Sequence, residues 1–321
     1  MFLLSFLLLK SKSIYWSIDQ KLQKLADSIL LENSKYYKYS AILVAEVKTG
    51  RIIAISCYKG DKLDYNICFN EKFPSASLFK ITTAIASIEI LGLNSDDPIF
   101  YVGKIYSNKP YVWLSNGNTK VQTLKLAFGL SNNPAFGKLA TLIGRWRLYE
   151  YSRRLFFESY YPIDDFSLAL MGAGFINSYI TPMNALKLSL SLSNKGLIKS
   201  ITLIDSIPNI YYYNVKIEGR VMEEKTFYEL KELFKETVKN GTASKYLRNY
   251  DVGGKTGSLS DKIHGGYIEW FIGFLPVDEP KYAFVSMSVE KKYNNKLSPI
   301  LNIKPIIEFL SKKNNFICCF P

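Results

Sequence analysis

The spacing of apolar residues changes along the chain, and each change predicts a different kind of element. Behind Ser17 or Asp19, either of which can cap a helix, the segment SIDQKLQKLADSILLE has apolar residues at helical spacing. The residues on the shared face are Leu22, Leu25, Ile29 and Leu30. The next segment, SAILVAEVKTGRIIAISCY, is mostly apolar and is divided at residues 48–50, which predicts two strands around a turn. SLFKITTAIASIEILG then predicts a largely buried helix that ends near Gly92.

The middle of the chain favours helices, and the end returns to strands. Helical spacing prevails from about residue 120 to 245, in TLKLAFGL, NPAFGKLATLIG, TPMNALKLSLSLSNKG and FYELKELFKETVKNG. The segments YDVGGKTGSLS, GGYIEWFIGFLPV and KYAFVSMSVEKK predict strands, and IKPIIEFLSKK predicts a last helix. Because hairpins and meanders pair antiparallel without crossovers, we predict an α+β fold. Its antiparallel five-stranded sheet is built from both ends of the chain, is flanked by helices and carries a mostly helical subdomain. Such a sheet brings residues near 77 and near 255 together.

The N-terminal segment, MFLLSFLLLKSKS, is apolar but shorter than the about 20 residues that span a bilayer. A secretory signal carries positive charge before its apolar run, whereas Lys10 and Lys12 follow it here. We interpret residues 1–16 as the remnant of a membrane anchor or as a signal-like segment, and packing on the domain is a third interpretation. Residues 17–321 are predicted to form one domain.

The composition disfavours some kinds of active site but does not identify a binding partner. Lys and Arg outnumber Asp and Glu to give a net charge of +13, which is typical either of a protein with an anionic partner or of biased codon usage. Because the lysines are scattered and form no basic run, nucleic-acid binding has no support beyond charge. His264 is the single histidine, which disfavours a His-based zinc site and leaves it as the only possible base for a Ser-His-Asp triad. We expect His264 to be an exposed loop residue, and we expect no metal and no cofactor.

The four cysteines contain no Cys-x-x-Cys pair, so they suggest neither a metal site nor a redox motif. Cys57 and Cys68 can form a disulfide in an oxidising compartment. Buried free thiols are the commoner state for such residues, and we favour that interpretation.

The stretch DVGGKTGSLS contains Gly-Lys-Thr, which occurs in two unrelated kinds of site. A phosphate-binding P-loop requires Gly-x-x-x-x-Gly-Lys-[Ser/Thr] between a strand and a helix. Asn249 occupies the position of its first glycine, and a turn and a strand follow the motif. The phosphate-binding interpretation is therefore disfavoured, and the alternative is a Lys-Thr-Gly strand that holds a peptide carboxylate.

Two further motifs precede this strand in the chain. FPSASLFKI places Ser77 and Lys80 at i and i+3, on one helical face, where a lysine of lowered pKa can take the serine proton. LSNNPAFGKLA places Ser131 and Asn133 in a loop between two predicted helices. Each motif is weak alone, because Ser-x-x-Lys also occurs on solvated helices and Ser-Asn-Asn-Pro is a good helix start. The ordered set Ser-x-x-Lys, Ser-x-Asn and Lys-Thr-Gly is far more specific.

The chain resembles the transpeptidase domain of penicillin-binding proteins over about residues 17 to 310. Beyond the three motifs, SIDQKLQKLA, AILVAEVKTGRIIAIS, GAGFINSYITPMNALKLSLSLSNKG, NGTASKYL and WFIGFLPVDEPKYAFV are similar to segments of that family. The resemblance implies that the protein is a peptidoglycan DD-transpeptidase, which cross-links D-Ala-D-Ala stem peptides through an acyl-enzyme.

The resemblance also implies roles for the residues that match the motifs. Ser77 becomes the acylated nucleophile, Lys80 its general base, and Ser131 the relay that passes a proton to the leaving amine with the help of Lys255. The implied substrate-binding residues are Asn133, Thr256, Gly257 and Ser258, with the backbone N–H groups of Ser77 and Ser258 as the oxyanion hole. The family usually has threonine at position 258, so the hydroxyl is kept here and a methyl is lost. Trp270 and Phe271 are expected to be core residues.

The implied partners are peptidoglycan stem peptides on lipid-linked glycan precursors, β-lactams as covalent inhibitors, and a separate glycosyltransferase, at the extracytoplasmic face of the bacterial cytoplasmic membrane. Two alternatives stay open. A class D-like serine β-lactamase shares two of the motifs but usually has Ser-x-Val in the middle, and Asn133 departs from that pattern. A non-catalytic β-lactam sensor or peptidoglycan-binding module keeps the same serine and lysine.

Overall fold

The structure is a computed structural model that describes residues 14–291 and 298–313. Its strands are β1 (Tyr15–Trp16), β2 (Tyr37–Glu46), β3 (Ile52–Lys59), β4 (Lys62–Leu63), β5 (Phe73–Pro74), β6 (Pro98–Val102), β7 (Thr119–Thr123), β8 (Glu158–Ser159), β9 (Ser178–Ile180), β10 (Leu197–Lys199), β11 (Ile204–Ile207), β12 (Tyr211–Tyr212), β13 (Ile217–Arg220), β14 (Gly253–Asp261), β15 (Gly266–Leu275) and β16 (Tyr282–Glu290). Its helices are α1 (Gln20–Glu32), α2 (Asn66–Phe69), α3 (Lys80–Leu91), α4 (Pro110–Trp113), α5 (Leu124–Gly129), α6 (Asn133–Ile143), α7 (Arg145–Arg154), α8 (Asp165–Ala173), α9 (Pro182–Ser193), α10 (Glu224–Lys239), α11 (Ser244–Leu247) and α12 (Pro299–Lys313). A 3₁₀ helix, Ala76–Phe79, leads into α3.

The main sheet has the strand order β14-β15-β16-β2-β3-β4, and every neighbouring pair is antiparallel. It joins strands from both ends of the chain, which confirms the predicted α+β class. The five long strands match the prediction, and the sixth strand is the two-residue β4 at the edge. The hairpin connections need no crossover, while β16 pairs with β2 across the whole helical middle of the chain.

Two apolar layers cover the two faces of this sheet. On one face, α1 and α12 pack through residues such as Leu22 and Ile307 against Val44 and Phe284. On the other face, α3, α9 and α10 form part of a larger core that continues into the helical subdomain. Asp19 begins α1 as its cap, because its carboxylate accepts hydrogen bonds from the backbone N–H groups of residues 21 and 22.

The structure describes only the last residues of the N-terminal segment 1–16. Residues 1–13, which carry the apolar segment, lie outside the described residues, whereas Tyr15–Trp16 pair with Ile204–Ile207. Within residues 14–291 and 298–313, no helix is long and apolar enough to cross a membrane. The interpretation of residues 1–16 as a membrane-anchor remnant or signal-like segment stays a prediction.

Two expectations about individual side chains are wrong. Cys57 and Cys68 form a disulfide, with Cα atoms 6.1 Å apart, because β3 and α2 bring both thiols into the same part of the core. His264 lies in the turn after β14, but its side chain is only 4% exposed, because Phe73 and Tyr39 pack against the ring. Trp270 and Phe271 are buried, as predicted.

Candidate active site

Ser77 lies in the 3₁₀ turn Ala76–Phe79 directly before α3, so its side chain stands at the start of a buried helix. The preceding residue, Ala76, has φ of 49°, a left-handed conformation that costs a residue with a side chain of order 1–3 kcal/mol. Gly174 faces this turn so closely that a Cβ atom there would lie 2.0 Å from the carbonyl oxygen of Ala76. Tight packing therefore holds Ala76, the neighbour of Ser77, in a conformation that the local sequence does not favour.

Lys80 is fully buried, and three oxygen atoms surround its ammonium group. The Nζ atom lies 2.8 Å from Ser77 Oγ, 2.9 Å from Asn133 Oδ1 and 2.6 Å from the carbonyl oxygen of Ala173. Burial lowers the pKa of Lys80 well below its ordinary value, and repulsion by Lys255 lowers it further. A neutral amine here can donate two N–H groups to Asn133 and Ala173 and direct its lone pair at the serine hydroxyl.

The loop between α5 and α6 carries the middle motif. Asn132 caps α6 through a 3.0 Å hydrogen bond that its side chain accepts from the Ala135 N–H, so the helix-start interpretation of this stretch is also correct. Asn133 donates its amide to the carbonyl oxygen of Ser107 at 3.1 Å, which turns its own carbonyl towards Lys80. Ser131 has φ of 56°, so it too is held in a left-handed conformation.

Lys255 projects from β14 into the same region and is fully buried. Its Nζ atom donates to Ser131 Oγ at 3.1 Å and to the carbonyl oxygen of Thr256 at 2.8 Å. The ammonium group also lies 5.3 Å from the centre of the Phe128 ring, at cation–π distance. Burial lowers the pKa of Lys255 to about 7. The site therefore holds two Ser–Lys pairs, Ser77 with Lys80 and Ser131 with Lys255.

The strand β14 forms one wall of the cavity above these pairs. A Cβ atom at Gly257 would lie 3.2 Å from the backbone nitrogen of Ser77, so a glycine lets the strand approach Ser77 closely. The cavity has a volume of about 350 Å³. Its lining includes six of the predicted residues, namely Ser77, Ser131, Asn133, Thr256, Gly257 and Ser258. Lys80 and Lys255 lie buried beneath it, in contact with Ser77 and Ser131.

The structure also adds residues that the sequence analysis did not single out. Thr242, from the segment before β14, shares a 2.6 Å hydrogen bond with Thr256 Oγ1 and thereby orients that hydroxyl. Tyr106, Phe175 and Tyr267 line the cavity from three other elements. Thr242 and Phe175 belong to the segments NGTASKYL and GAGFINSYITPMNALKLSLSLSNKG that carry the resemblance, but only tertiary packing shows that these four residues line the cavity. Among residues 14–291 and 298–313, no group of three or more His, Cys, Asp or Glu side chains is arranged to hold a metal ion.

Comparison with known proteins places this arrangement in a family. The family model described as "Penicillin binding protein transpeptidase domain" matches residues 40–303, so the chain belongs to that family. Stage V sporulation protein D of Bacillus subtilis is 24% identical over 310 residues, which cover 82% of this chain and 47% of the relative. The chain thus spans about half the length of that relative.

Solved structures share the fold. The transpeptidase domain of Burkholderia pseudomallei penicillin-binding protein 3 has a TM-score of 0.77 at 15% identity, covering 96% of this chain and 98% of that one. The penicillin G acyl-enzyme complex of penicillin-binding protein A from Mycobacterium tuberculosis has a TM-score of 0.72 at 18% identity, covering 92% of this chain and 80% of that one.

Proposed function

We propose that the protein is a serine-type peptidoglycan DD-transpeptidase that acts through an acyl-enzyme on Ser77. The observation that carries this proposal is the pair of Ser–Lys contacts under one cavity, at 2.8 Å for Lys80 and 3.1 Å for Lys255. Membership of the penicillin-binding protein transpeptidase family supports the same reaction class.

The first half-reaction forms the ester. Neutral Lys80 accepts the proton of the Ser77 hydroxyl, and the serine oxygen attacks the carbonyl carbon of the penultimate D-alanine. The backbone N–H groups of Ser77 and Ser258 stabilise the resulting oxyanion, at about 2.7–4 kcal/mol per donor. As the C–N bond breaks, Ser131 gives its proton to the leaving D-alanine amine and is reprotonated from Lys255.

The second half-reaction transfers the acyl group. An amine of a neighbouring stem peptide attacks the ester carbon, and its proton passes through Ser131 to Lys255, which is neutral after the first half-reaction. As the ester C–O bond breaks, Lys80 returns its proton to the Ser77 oxygen and restores the hydroxyl. Thr256 and Ser258 bind the terminal carboxylate of the donor, Gly257 gives the donor close access to the strand, and Asn133 binds its amide. A β-lactam uses the first half-reaction alone, because its leaving nitrogen remains attached to the acyl group.

The cellular setting belongs to the same proposal. The substrates are stem peptides on lipid-linked glycan precursors, so the protein acts at the extracytoplasmic face of the bacterial cytoplasmic membrane, beside a separate glycosyltransferase. β-Lactams act as covalent inhibitors. The solved penicillin G acyl-enzyme of M. tuberculosis penicillin-binding protein A supports this last point by analogy.

Covalent labelling with penicillin tests the nucleophile. We expect intact-protein mass spectrometry to detect one penicilloyl adduct on the native chain and none on Ser77→Ala, with equal melting temperatures for the two proteins. An adduct on the alanine variant would show that another residue is acylated.

The lifetime of the adduct separates the transpeptidase from its alternatives. After free penicillin is removed, we expect the ester to persist for minutes to hours, far longer than one turnover of a median enzyme at about 10 s⁻¹. Decay within seconds would favour a β-lactamase. A stable adduct without amine-dependent exchange of a D-Ala-D-Ala peptide would favour a sensor.

A further inference from the structure

The single histidine of the chain lies between two carboxylates, in the turn that follows β14. His264 Nδ1 is 2.6 Å from Asp261 Oδ2, and Nε2 is 2.8 Å from Glu71 Oε1. The ring packs against Phe73, with centroids 4.5 Å apart, and edge-on against Tyr39 at 5.2 Å. The His264 side chain is therefore buried although the residue lies in a turn, and both of its ring nitrogens have a partner.

The two contacts together identify the protonation state. A neutral imidazole has one N–H donor and one lone pair, whereas both nitrogens here face carboxylate oxygens, which only accept. Each nitrogen therefore has a partner only when both carry a proton and the ring is an imidazolium. Burial by itself lowers the pKa of His264, but the hydrogen bonds to Asp261 and Glu71 outweigh burial and raise it above 6.5.

The charged groups that face His264 come from three elements. Asp261 ends β14, and its Oδ1 also accepts from the backbone N–H groups of Ile263 and His264. Glu71 comes from the segment before β5. From β2, Tyr39 contacts the ring, and the Lys38 ammonium donates to the His264 carbonyl oxygen at 3.2 Å. The positive charge on the ring is thus balanced by two carboxylates, with one lysine on its backbone side.

The two carboxylates come from chain segments that lead to different parts of the site. Glu71 lies shortly before β5, which leads into the turn that bears Ser77, while Asp261 is the last residue of β14, the strand that bears Gly257 and Ser258. A second contact joins β5 to the neighbouring strand β15, because the Trp270 indole N–H donates to the Pro74 carbonyl oxygen at 3.0 Å, and β15 pairs with β14. The histidine bridge therefore joins the segment before Ser77 to the end of the strand that faces Ser77.

We propose that His264, as an imidazolium bridging Asp261 and Glu71, is a positioning residue that holds the Lys-Thr-Gly strand against the segment bearing Ser77. This inference rests on the proposed function. The bridge is complete below the unperturbed histidine pKa of 6.5 and is lost as pH rises through the raised pKa of the folded state. At low pH it ends instead when Asp261 is protonated, since the hydrogen bonds from His264 outweigh burial and lower the pKa of that carboxyl below 3.8.

The first experiment measures the acylation rate by a fluorescent penicillin in native protein, His264→Gln and Glu71→Gln, across the pH range. Glutamine at position 264 still donates to one carboxylate but stays neutral at every pH. We expect its rate to be about 5- to 10-fold below native at neutral pH, which corresponds to about 1–1.4 kcal/mol of barrier, and the two rates to converge above the His264 pKa. Lys80 and Lys255 are present in both proteins, so their titration changes both rates alike. The ratio of the native rate to the His264→Gln rate therefore reports the titration of His264.

The second experiment detects the His264 bridge by spectroscopy and does not depend on a reaction rate. Histidine-selective isotope labelling gives one imidazole signal in the NMR spectrum, so its titration reports His264 alone. We expect Glu71→Gln to lower this pKa. In His264→Gln, hydrogen exchange should be faster in residues 71–80 and 253–266. Lys72→Gln is the matched control, since it removes an exposed ion pair with Glu158 from the same segment and should change neither reading.

The outcomes are separable. A rate ratio that stays constant with pH, or a His264 pKa unchanged by Glu71→Gln, overturns the positioning role even when native protein is labelled normally. Native protein that resists labelling overturns the proposed function instead. If native protein resists labelling, hydrogen exchange still tests the positioning role, and unaltered exchange in His264→Gln overturns it.

Discussion

Replacement of Lys80 by arginine is the sharpest test of the acylation chemistry. The lysine nitrogen has three oxygen neighbours, and a neutral amine satisfies all of them by donating twice and accepting once from Ser77. Arginine has five N–H donors and no acceptor, and it keeps its charge at every pH that a protein tolerates. The Ser77 hydroxyl would then face only donors and have no group that takes its proton.

The magnitude follows from the loss of a general base. Such a loss slows a reaction by about 10²–10⁴-fold, which corresponds to about 2.7–5.5 kcal/mol of barrier. The lower end is the minimum that we expect for Lys80→Arg, because Lys255, the other buried lysine of the site, contacts Ser131 rather than Ser77. Stopped-flow measurement of acylation by a chromogenic cephalosporin gives the rate, and Lys72→Arg, at an exposed position near the site, is the matched control.

A second variant separates loss of the base from loss of the fold. Lys80→Ala leaves a cavity where the side chain was, and a small primary amine added to the solution can occupy it. We expect the amine to restore part of the acylation rate in proportion to its neutral fraction. Acylation of Lys80→Arg at the native rate would refute the role of Lys80 as the base. A folded alanine variant that no amine rescues would weaken the argument that a lone pair at this position is required.

Two further predictions concern charge within the fold. Lys255→Met removes the positive charge that helps to lower the pKa of Lys80, so the pKa of Lys80 should rise. In a plot of acylation rate against pH, the increase in rate that accompanies deprotonation of Lys80 should therefore occur at higher pH. An unchanged pH dependence would mean that the two lysines do not interact. Burial and the neighbouring Glu290 raise the pKa of Glu269 from 4.5 to about 8, so native stability should fall as pH rises through that window. Glu269→Gln should lack this decline and melt at a higher temperature than native protein above about pH 8, and parallel melting curves for the two proteins would contradict it.

Much of the fold could be predicted because its elements follow from local periodicity. The helix behind Asp19, the turn between β2 and β3 and the left-handed Gly92 after α3 all depend on residues that are neighbours in the chain. The short connections predicted antiparallel pairing within the early strands and within the late strands, whereas β16 and β2 pair across the whole helical middle of the chain. The edge strand β4 was missed, because a two-residue strand has no period to detect.

The site was predicted as three motifs, but the contacts within it depend on distant parts of the chain. Lys80 meets Asn133 across 53 residues, and Lys255 meets Ser131 across 124 residues. The predicted two-ended sheet indicated that residues near 77 and near 255 meet, and the family resemblance added Ser131 and Asn133 to them. Ala173 and Thr242 lie in segments that carry the same resemblance, but nothing in the local sequence indicated that they contact Lys80 and Thr256.

The sequence by itself determined the alternation of elements, the class of the sheet and the chemical groups available for acyl transfer. These are properties of residue type and of spacing over a few turns of chain. Tertiary structure alone decided the Cys57–Cys68 disulfide and the bridge in which His264 meets Glu71 across 193 residues. The position of His264 after the Lys-Thr-Gly strand predicted an exposed loop residue, and that prediction failed for the side chain because Phe73 and Tyr39 pack against it. Burial and charge depend on what packs against a residue, and for His264 that partner is far away in the sequence.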